Sequence, residues 1–415
     1  MLNELFDESH SKYRSLSLLG PILDDFDDWL AIHGYAFSTR QNYIMDCAHI
    51  ERYLEKRGVR TSTGISAELI GRCWRYFKVR PGHKEHAVGR LQTFLEEHQL
   101  LTRASQPLSM IDDLVNGYQR YLADVRGFSA GTIREHCGSA LEFLQSTRRR
   151  DSRDQLDLDV LSRNYIERFV TRISGRLGRG RLQHVVAHIR SLLRYLAMLG
   201  KVPTGLDLQI DTPRAYRQEQ LPKSLPWDVV CAFLNSIDRS DARGLRAYTI
   251  FLLMATYGLR ASDVAGLRLQ DIDWRAGEIH IRPRKTKHPL ILPLFDHVGK
   301  ALIAYLRKGR PHSKCREVFL TLQAPITPVT IHSIGHAFRS RVRSGKLPIP
   351  FEGVHCLRHS YAVHLLQEGA SFKAIGDVLG HHSTESTCVY LRLNIEELRD
   401  AALPLPASCK KEADK

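Results

Sequence analysis

Apolar residues recur at helical spacing through residues 180–199, and this pattern constrains the fold more than any other feature of the sequence. The residues that share one face of this predicted helix are Leu182, Val185, Val186, Ile189, Leu192, Leu193 and Leu196. Similar spacing recurs at 23–54 and 111–143, where a glycine–aromatic turn and a Ser or Thr that can cap a helix separate two predicted helices. The first two hundred residues therefore predict helices, and these two segments resemble a diverged repeat in which only a few positions correspond.

The hydrophobic pattern changes in the second half of the chain. Residues 212–226 contain three prolines and many polar residues without periodicity, and they predict a linker. Residues 247–256 predict an apolar helix, whereas 278–282 alternate as a strand and 290–292 return beside it. The sequence therefore predicts a mainly α protein with a small antiparallel β-sheet.

Positive charge is in excess over the whole chain, because 60 Lys and Arg against 45 Asp and Glu give a formal net charge of +15. Such an excess favours a polyanionic partner, most commonly nucleic acid. Residues 168–206 contain no Asp or Glu, although ordinary solvated surfaces mix both signs. We therefore predict contacts with the DNA phosphate backbone rather than a solvated charged face. The predicted contact residues are Arg172, Arg176, Arg179, Arg181 and Arg190.

Other features argue against a membrane protein, a disulfide framework and a zinc knuckle. The sequence has no apolar run of membrane-spanning length, and its start, MLNELFDESH, lacks a signal-peptide pattern. The eight cysteines are scattered and include no CxxC pair. We therefore expect a protein of the reducing bacterial cytoplasm, associated with the nucleoid.

Residues 257–263 form the first of four short segments that carry most of the functional signal. An apolar helix stops at Gly258, which can adopt a left-handed conformation, and Arg260 follows at the start of the next helix. Ser262 or Asp263 is available to cap that helix. Taken alone, an arginine at a helix start is most often a surface residue.

The second and third segments also carry cations and histidines. Residues 283–288 predict a hairpin turn from which Lys285 could reach a ligand, although lysines on edge hairpins commonly serve solubility. In the third segment His355 lies three residues before Arg358, so the two share a face of a helix. His355 and His359 are four residues apart, which also fits a pair of zinc ligands, but the intervening Glu of a metalloprotease is missing.

In the fourth segment His381 follows the helix-ending Gly380, and Tyr390 lies nine residues after His381. A lone tyrosine beside Val and Leu is ordinarily a half-buried packing residue. Taken in order, the four segments read GLRxSD, a hairpin lysine, HxxRH and LGHxxxxxxxxY. This order resembles the catalytic domain of the tyrosine recombinases, the phage integrase family, and the resemblance covers residues 221–402.

The resemblance implies helical N-terminal DNA-binding domains followed by a tyrosine-recombinase catalytic domain. The expected parts are an additional N-terminal helical region (1–108), a SAM-like core-binding domain (109–205), a linker (206–220), the catalytic domain (221–403) and a C-terminal tail (404–415).

The same resemblance assigns roles in phosphodiester chemistry. It makes Tyr390 the nucleophile that forms a 3′-phosphotyrosyl bond and releases a 5′-hydroxyl. Arg260 and Arg358 would bind the non-bridging phosphate oxygens. Lys285 would protonate the leaving 5′-oxygen, with Lys287 as its competitor for that role. The remaining assignments are His355 as acceptor of the tyrosine proton, His381 as a hydrogen-bond donor to the phosphate, and Asp263 as a support for Arg260.

The implied function is a site-specific DNA recombinase or integrase encoded by a transposon or other mobile element. The expected partner is double-stranded DNA, bound by a homotetramer on two synapsed sites, with accessory recombinases or directionality factors as further partners and no membrane. No metal or other cofactor is expected. The alternatives are a type IB topoisomerase-like enzyme, a catalytically inactive DNA-binding regulator, and a metalloenzyme that uses His355 and His359.

Overall fold

A computed structural model of the protein describes residues 2–6, 10–61, 64–82, 84–101, 109–147, 156–214, 223–282, 289–345, 347–350, 353–380 and 387–388. The chain divides into two compact units, of which one combines Met1–Thr102 with Leu221–Lys415 and the other is Arg103–Gln220. Helices predominate in the described residues, which also contain a three-stranded antiparallel sheet, so the predicted fold class is confirmed. None of these helices combines the length and apolarity that a bilayer crossing requires.

The N-terminal part of the larger unit is helical. Its helices are α1 (Leu2–Leu5), α2 (His10–Arg14), α3 (Leu23–Ile32), α4 (Phe37–Glu55), α5 (Ala67–Lys78) and α6 (Glu85–Glu97). The ring of Phe26 lies 6.1 Å from that of Trp29 and 5.3 Å from that of Phe94 in the core. Asp27 is fully buried and accepts from Arg40 through Nε at 2.7 Å and Nη2 at 2.5 Å. Because a buried carboxylate needs a charged partner, this pair ties α3 to α4.

The N-terminal helices contact a loop of the second half of the chain within the same unit. The backbone N–H of Ile326 donates to the carbonyl oxygen of His33 at 2.8 Å. Gly34 has φ +79°, and a Cβ at this position would lie 2.5 Å from Cγ1 of Ile326. Only glycine therefore allows this approach without strain. Ala324 packs against the N-terminal core, which extends the contact.

The second unit, Arg103–Gln220, is also helical. Its helices are α7 (Met110–Arg120), which continues into a π-helical turn (Tyr121–Val125), α8 (Ala130–Ser146), α9 (Arg163–Ser174) and α10 (Arg179–Met198). All seven residues of the predicted apolar stripe of α10 are buried, and they form the core together with residues of α7, α8 and α9. The prediction made from helical periodicity is therefore confirmed for this helix.

A chain of buried polar side chains crosses the core of the second unit. The hydroxyl of Tyr118 is 2.9 Å from Nδ1 of His136, and the hydroxyl of Ser139 is 2.9 Å from Nδ1 of His188. The two imidazole rings lie 4.1 Å apart. Burial, with a smaller contribution from His136, lowers the pKa of His188 to about 4. The core therefore holds His188 in its neutral form at physiological pH.

The second half of the chain combines helices with the sheet. Its elements are α11 (Trp227–Asn235), α12 (Ala242–Tyr257), α13 (Ala261–Ala265), β1 (Ile272–Asp273), β2 (Glu278–Ile281), β3 (Leu290–Pro293), α14 (Asp296–Lys308), α15 (Ile331–Ser344), α16 (Cys356–Gln367) and α17 (Phe372–Leu379). The strand order is β1-β2-β3, and Ile281 pairs with Leu290 at the end of the β2–β3 ladder where the chain passes from β2 to β3. Helix α12 is buried along most of its length at the centre of the core.

Two elements differ from their predictions in extent. Helix α12 begins at Ala242 rather than near residue 247, because the carboxylate of Asp241 accepts from the N–H of Gly244 at 2.6 Å and caps the helix. Strand β1 was not predicted, since two residues are too few to show an alternating pattern. Residues 215–222 of the predicted linker lie outside the described residues.

We expect the second unit to lose stability in mild acid because of His188. In the unfolded chain this histidine takes up a proton near pH 6.5, whereas in the folded unit it does so only near pH 4. The unfolded state therefore binds more protons between these values, and stability falls as the pH is lowered through this range. Thermal melting of His188→Gln between pH 7 and 5 should show a weaker pH dependence than the parent chain.

His184 is the matched control for this measurement, because it is an exposed histidine on the same helix. His184→Gln should keep the pH dependence of the parent chain. Equal pH dependence in the parent chain and His188→Gln would contradict the prediction.

Candidate active site

Arg358 is the buried centre of the candidate site. Its side chain extends from the first turn of α16, and the residue is only 2% exposed. Nη1 donates to the carbonyl oxygen of Gly258 at 2.6 Å, and Nη2 donates to that of Leu379 at 2.7 Å. These carbonyls lie at the ends of α12 and α17, so one guanidinium joins three segments that are far apart in sequence. The first, third and fourth predicted segments therefore meet at Arg358.

The close packing around Gly258 depends on its being a glycine. Helix α12 ends at this residue in the left-handed conformation, with φ +61°. A Cβ here would lie 2.5 Å from Cδ2 of Leu379 and 2.7 Å from Cδ1 of Tyr361. A larger residue would be strained by its backbone conformation and would also push these two side chains away. Gly258 thus lets the end of α12 approach α16 and α17.

Arg260 lies at the edge of the site, immediately before α13. Its side chain is 21% exposed, and Nη1 is 3.9 Å from Oδ2 of Asp263, which is almost completely buried. The hydroxyl of Ser262 donates to Oδ1 of Asp263 at 3.3 Å. Asp263 can therefore position Arg260 electrostatically while the guanidinium remains accessible to an anion.

His355 and His359 lie one turn apart at the start of α16. His355 is exposed, and its ring packs edge-on against that of His359 at a centroid distance of 4.6 Å and an interplanar angle of 83°. Burial and, to a smaller degree, the charge of Arg358 lower the pKa of His359 to about 4. His359 is therefore neutral at physiological pH, and its ring packs against that of His355. Sequence reasoning left the role of His359 open.

Four of the predicted site residues fall outside the described residues: Lys285, Lys287, His381 and Tyr390. Their described neighbours show where these segments start and end. The predicted lysine turn connects the paired ends of β2 and β3. His381 directly follows Gly380, and Tyr390 comes three residues after Thr387, which is buried beside α17.

The arginines predicted to contact DNA lie on α9, α10 and the turn between them. Arg172 and Arg179 are exposed, whereas Arg190 is half-buried and donates to the carbonyl oxygen of Ile210. Two of the other predicted arginines pair with carboxylates of α8: Arg176 with Glu142, and Arg181 with Glu135 at 3.4 Å. The absence of acidic residues along 168–206 could not reveal these pairs, because both glutamates lie in an earlier helix.

With this geometry established, comparison with known proteins identifies the class. Residues 223–397 match the phage integrase family. The chain is 31% identical over 390 residues to the Sinorhizobium fredii protein named "Putative integrase/recombinase y4rA", covering 93% of this chain and 94% of that protein. It is 29% identical over 295 residues to tyrosine recombinase XerD of Listeria innocua, covering 70% of this chain and 97% of XerD.

The chain therefore belongs to the phage integrase family of tyrosine recombinases. It is a site-specific recombinase, an enzyme of DNA strand breakage and religation. Its fold is similar to that of the Tn1549 transposon integrase in a complex with transposon right end DNA, with a TM-score of 0.53 and 16% identity over 70% of this chain and 99% of that one.

Arg358→Lys should lower the free energy of unfolding by about 2–3 kcal/mol, because a lysine cannot donate to both carbonyls in the geometry of a guanidinium. Arg260→Lys is the matched control, since this side chain is partly exposed and should lose less than about 1 kcal/mol. Urea unfolding followed by circular dichroism measures both values. Equal losses would mean that the two backbone bonds of Arg358 do not organise the site.

Proposed function

We propose that this recombinase cuts and rejoins duplex DNA through a 3′-phosphotyrosyl intermediate, with Tyr390 as the nucleophile. The observation that carries the proposal is the position of Arg358, whose two backbone bonds bring together the segments that lead to Arg260 and His381. Such an assembly would gather the predicted cations around one phosphate, as the transition state of phosphoryl transfer requires.

The two arginines would hold the scissile phosphate. The carbonyls of Gly258 and Leu379 fix the guanidinium of Arg358, so little reorganisation is needed during the reaction. Arg260 would bind the phosphate from the more exposed side, with Asp263 supporting it. A guanidinium suits this role because it is planar, permanently charged and able to bind two oxygens at once.

The proton transfers would use residues on either side of the phosphate. The phenol oxygen of Tyr390 attacks phosphorus, and His355 accepts its proton. The bond from phosphorus to the 5′-oxygen breaks, and Lys285 protonates that oxygen, with Lys287 as the competing donor. His381 would donate a hydrogen bond to the phosphate. The phosphotyrosyl bond conserves the energy for religation, so this scheme uses no nucleotide.

Each part of the chain would have the role that the family resemblance implies. Residues 109–205 would act as a core-binding domain, 206–220 as a linker and 221–403 as the catalytic domain. Arg172, Arg176, Arg179 and Arg181 would contact the phosphate backbone, with the carboxylates of α8 exchanged for phosphate on binding. Arg190, which donates a hydrogen bond to the carbonyl oxygen of Ile210, would instead stabilise the domain itself.

The assembly follows from the number of strands. Two duplex sites contain four strands to be exchanged, and a protomer with one Tyr390 can attach to one of them. A homotetramer on two synapsed sites therefore provides one nucleophile for each strand. The similarity to an integrase/recombinase along nearly the whole chain, and the fold of a transposon integrase, support an origin in a mobile element. Accessory recombinases or directionality factors would then set the direction of the reaction.

Tyr390→Phe should abolish covalent attachment to a nicked suicide duplex, because the attacking oxygen is lost, while DNA affinity stays nearly unchanged. Denaturing electrophoresis of the protein–DNA adduct, together with a binding titration, measures both. An adduct formed by the variant would show that Tyr390 is not the nucleophile. Adding a second duplex distinguishes a recombinase, which transfers a strand to it, from the topoisomerase-like alternative, which would relax DNA without strand transfer.

Lys285→Ala should slow cleavage of ordinary DNA by about 10²–10⁴-fold, the usual contribution of a general acid. A substrate with a 5′-thio leaving group should restore the rate, because a thiolate departs without a proton. Lys287→Ala is the matched control and should show little defect and no rescue. If the rescue occurs with Lys287→Ala alone, the general acid is Lys287.

A further inference from the structure

The N-terminal helices repeat the order and capping of the helices in the second unit. Helices α3–α6 correspond in sequence to α7–α10, and α5 and α9 have the same length of 12 residues. The side chain of Ser66 caps α5 and that of Ser162 caps α9. Each hydroxyl oxygen accepts a hydrogen bond at 3.3 Å from the backbone N–H of the residue three positions later. The buried residues of both helices then follow their caps at the same offsets. These residues are Ile70, Cys73 and Phe77 in α5, and Ile166, Phe169 and Ile173 in α9.

The turns between the first two helices of each set also correspond. In one, the N–H of Tyr35 donates to the carbonyl of Leu30 at 3.1 Å, and in the other, the N–H of Phe128 donates to that of Leu122 at 3.0 Å. Both turns pass through a glycine with positive φ. The second turn is one residue longer, and the π-helical turn Tyr121–Val125 accommodates the extra residue.

The last helices of the two sets end in the same way. The N–H of Leu100 donates to the carbonyl of Leu95 at 2.8 Å, and the N–H of Lys201 donates to that of Leu196 at 2.9 Å. The residue before each donor has positive φ, although it is Gln99 in the first set, where a side chain makes this conformation costly. Matching caps, turns and ends indicate two copies of one four-helix module.

The two modules also share one basic position on their third helix and one just after it. Measured from the capping serines, Arg72 corresponds to Arg168 and Arg80 corresponds to Arg176. Between Glu68 and Glu85 the chain has five Lys or Arg and no Asp or Glu. Helix α3, by contrast, carries four aspartates. The positive charge of the first module is therefore concentrated around α5 rather than spread over the module.

Aromatic rings hold several of these cations at the surface. The guanidinium of Arg80 lies 3.5 Å from the ring centroid of Tyr76, and that of Arg57 lies 3.7 Å from the centroid of Tyr53. The ammonium of Lys78 lies 4.5 Å from the ring of Trp74. A ring face orients a cation without neutralising it. We call the exposed residues Arg57, Arg75, Lys78 and Arg80 the N-terminal basic face.

We propose that the N-terminal basic face binds the phosphate backbone of duplex DNA, so that the protein carries two copies of one DNA-binding module. The inference rests on the proposed contact of α9 and α10 with DNA, because the shared fold and basic positions extend that role to the first copy. Duplex DNA is the polyanion on which a recombinase acts. Three of the four cations of this face, Arg57, Lys78 and Arg80, are held by rings that leave their charge available to a phosphate backbone.

The test is the salt dependence of duplex binding by the full chain. Arg75→Gln, Lys78→Gln and Arg80→Gln together remove three exposed cations and keep most of each side-chain stem. The slope of log K against log salt should become shallower by about 2–3, since each lost phosphate contact contributes about 0.9. A variant with Arg75→Lys and Arg80→Lys, in which Lys78 is unchanged, should retain the parental slope. Circular dichroism melts should show that the triple variant is folded.

The matched control removes three exposed cations from α14, through Lys300→Gln, Arg307→Gln and Lys308→Gln. This variant has the same net charge as the first and should keep the parental slope. An equal loss of slope in both variants would mean that net charge, not the N-terminal basic face, is responsible. An unchanged slope in the N-terminal variant would also overturn the proposal.

A third variant separates this inference from the proposed function. Arg172→Gln, Arg176→Gln and Arg181→Gln remove cations from the second copy of the module. If this variant loses slope and the N-terminal variant does not, only the inference fails. If neither loses slope, the proposed DNA contact of α9 and α10 fails as well. The covalent-adduct assay for Tyr390 reports independently on catalysis in both cases.

Discussion

The site depends on a single buried cation and the two carbonyl groups that accept its hydrogen bonds. Burying a guanidinium is costly unless its charge is compensated. Here the carbonyl oxygens of Gly258 and Leu379 lie at the ends of α12 and α17, where the partial negative charge of a helix is concentrated. The same bonds stabilise Arg358 and position the segments around it. Stability and site geometry therefore depend on one interaction, and neither can change without the other.

The sequence predicted what depends on local pattern or residue type. The stripe of α10 and strand β2 follow from periodicity, β3 follows from the return of the chain after a predicted turn, and the order of the four short segments identified the family. It did not predict the bond between Arg358 and Gly258, which joins residues a hundred positions apart. It also missed the pairing of Arg181 with Glu135, because an acid-free run along the chain does not show which residues are neighbours in space.

Both helical modules hold exposed cations in two ways, by carboxylates and by aromatic rings. In the second unit, Arg176 and Arg181 are paired with carboxylates that a phosphate would have to displace, whereas Arg172 lies over the ring of Phe169. In the N-terminal module, Arg72 is paired with Glu68 at 2.7 Å, whereas Arg80 lies on an aromatic face that orients its charge without cancelling it. The ring-held cations keep their full charge for a polyanion, whereas the paired cations become available only when the carboxylate is displaced.

Two modules on one chain suit a reaction in which a cut strand must not escape. In the proposed mechanism one DNA end is covalently held by Tyr390, but the 5′-hydroxyl end is held only by contacts with the protein. A single module with a few phosphate contacts binds weakly at physiological salt, whereas a second module on the same chain rebinds at high effective concentration. Duplicating a module that already folds, then changing its surface, would add such contacts without altering the geometry around Arg358.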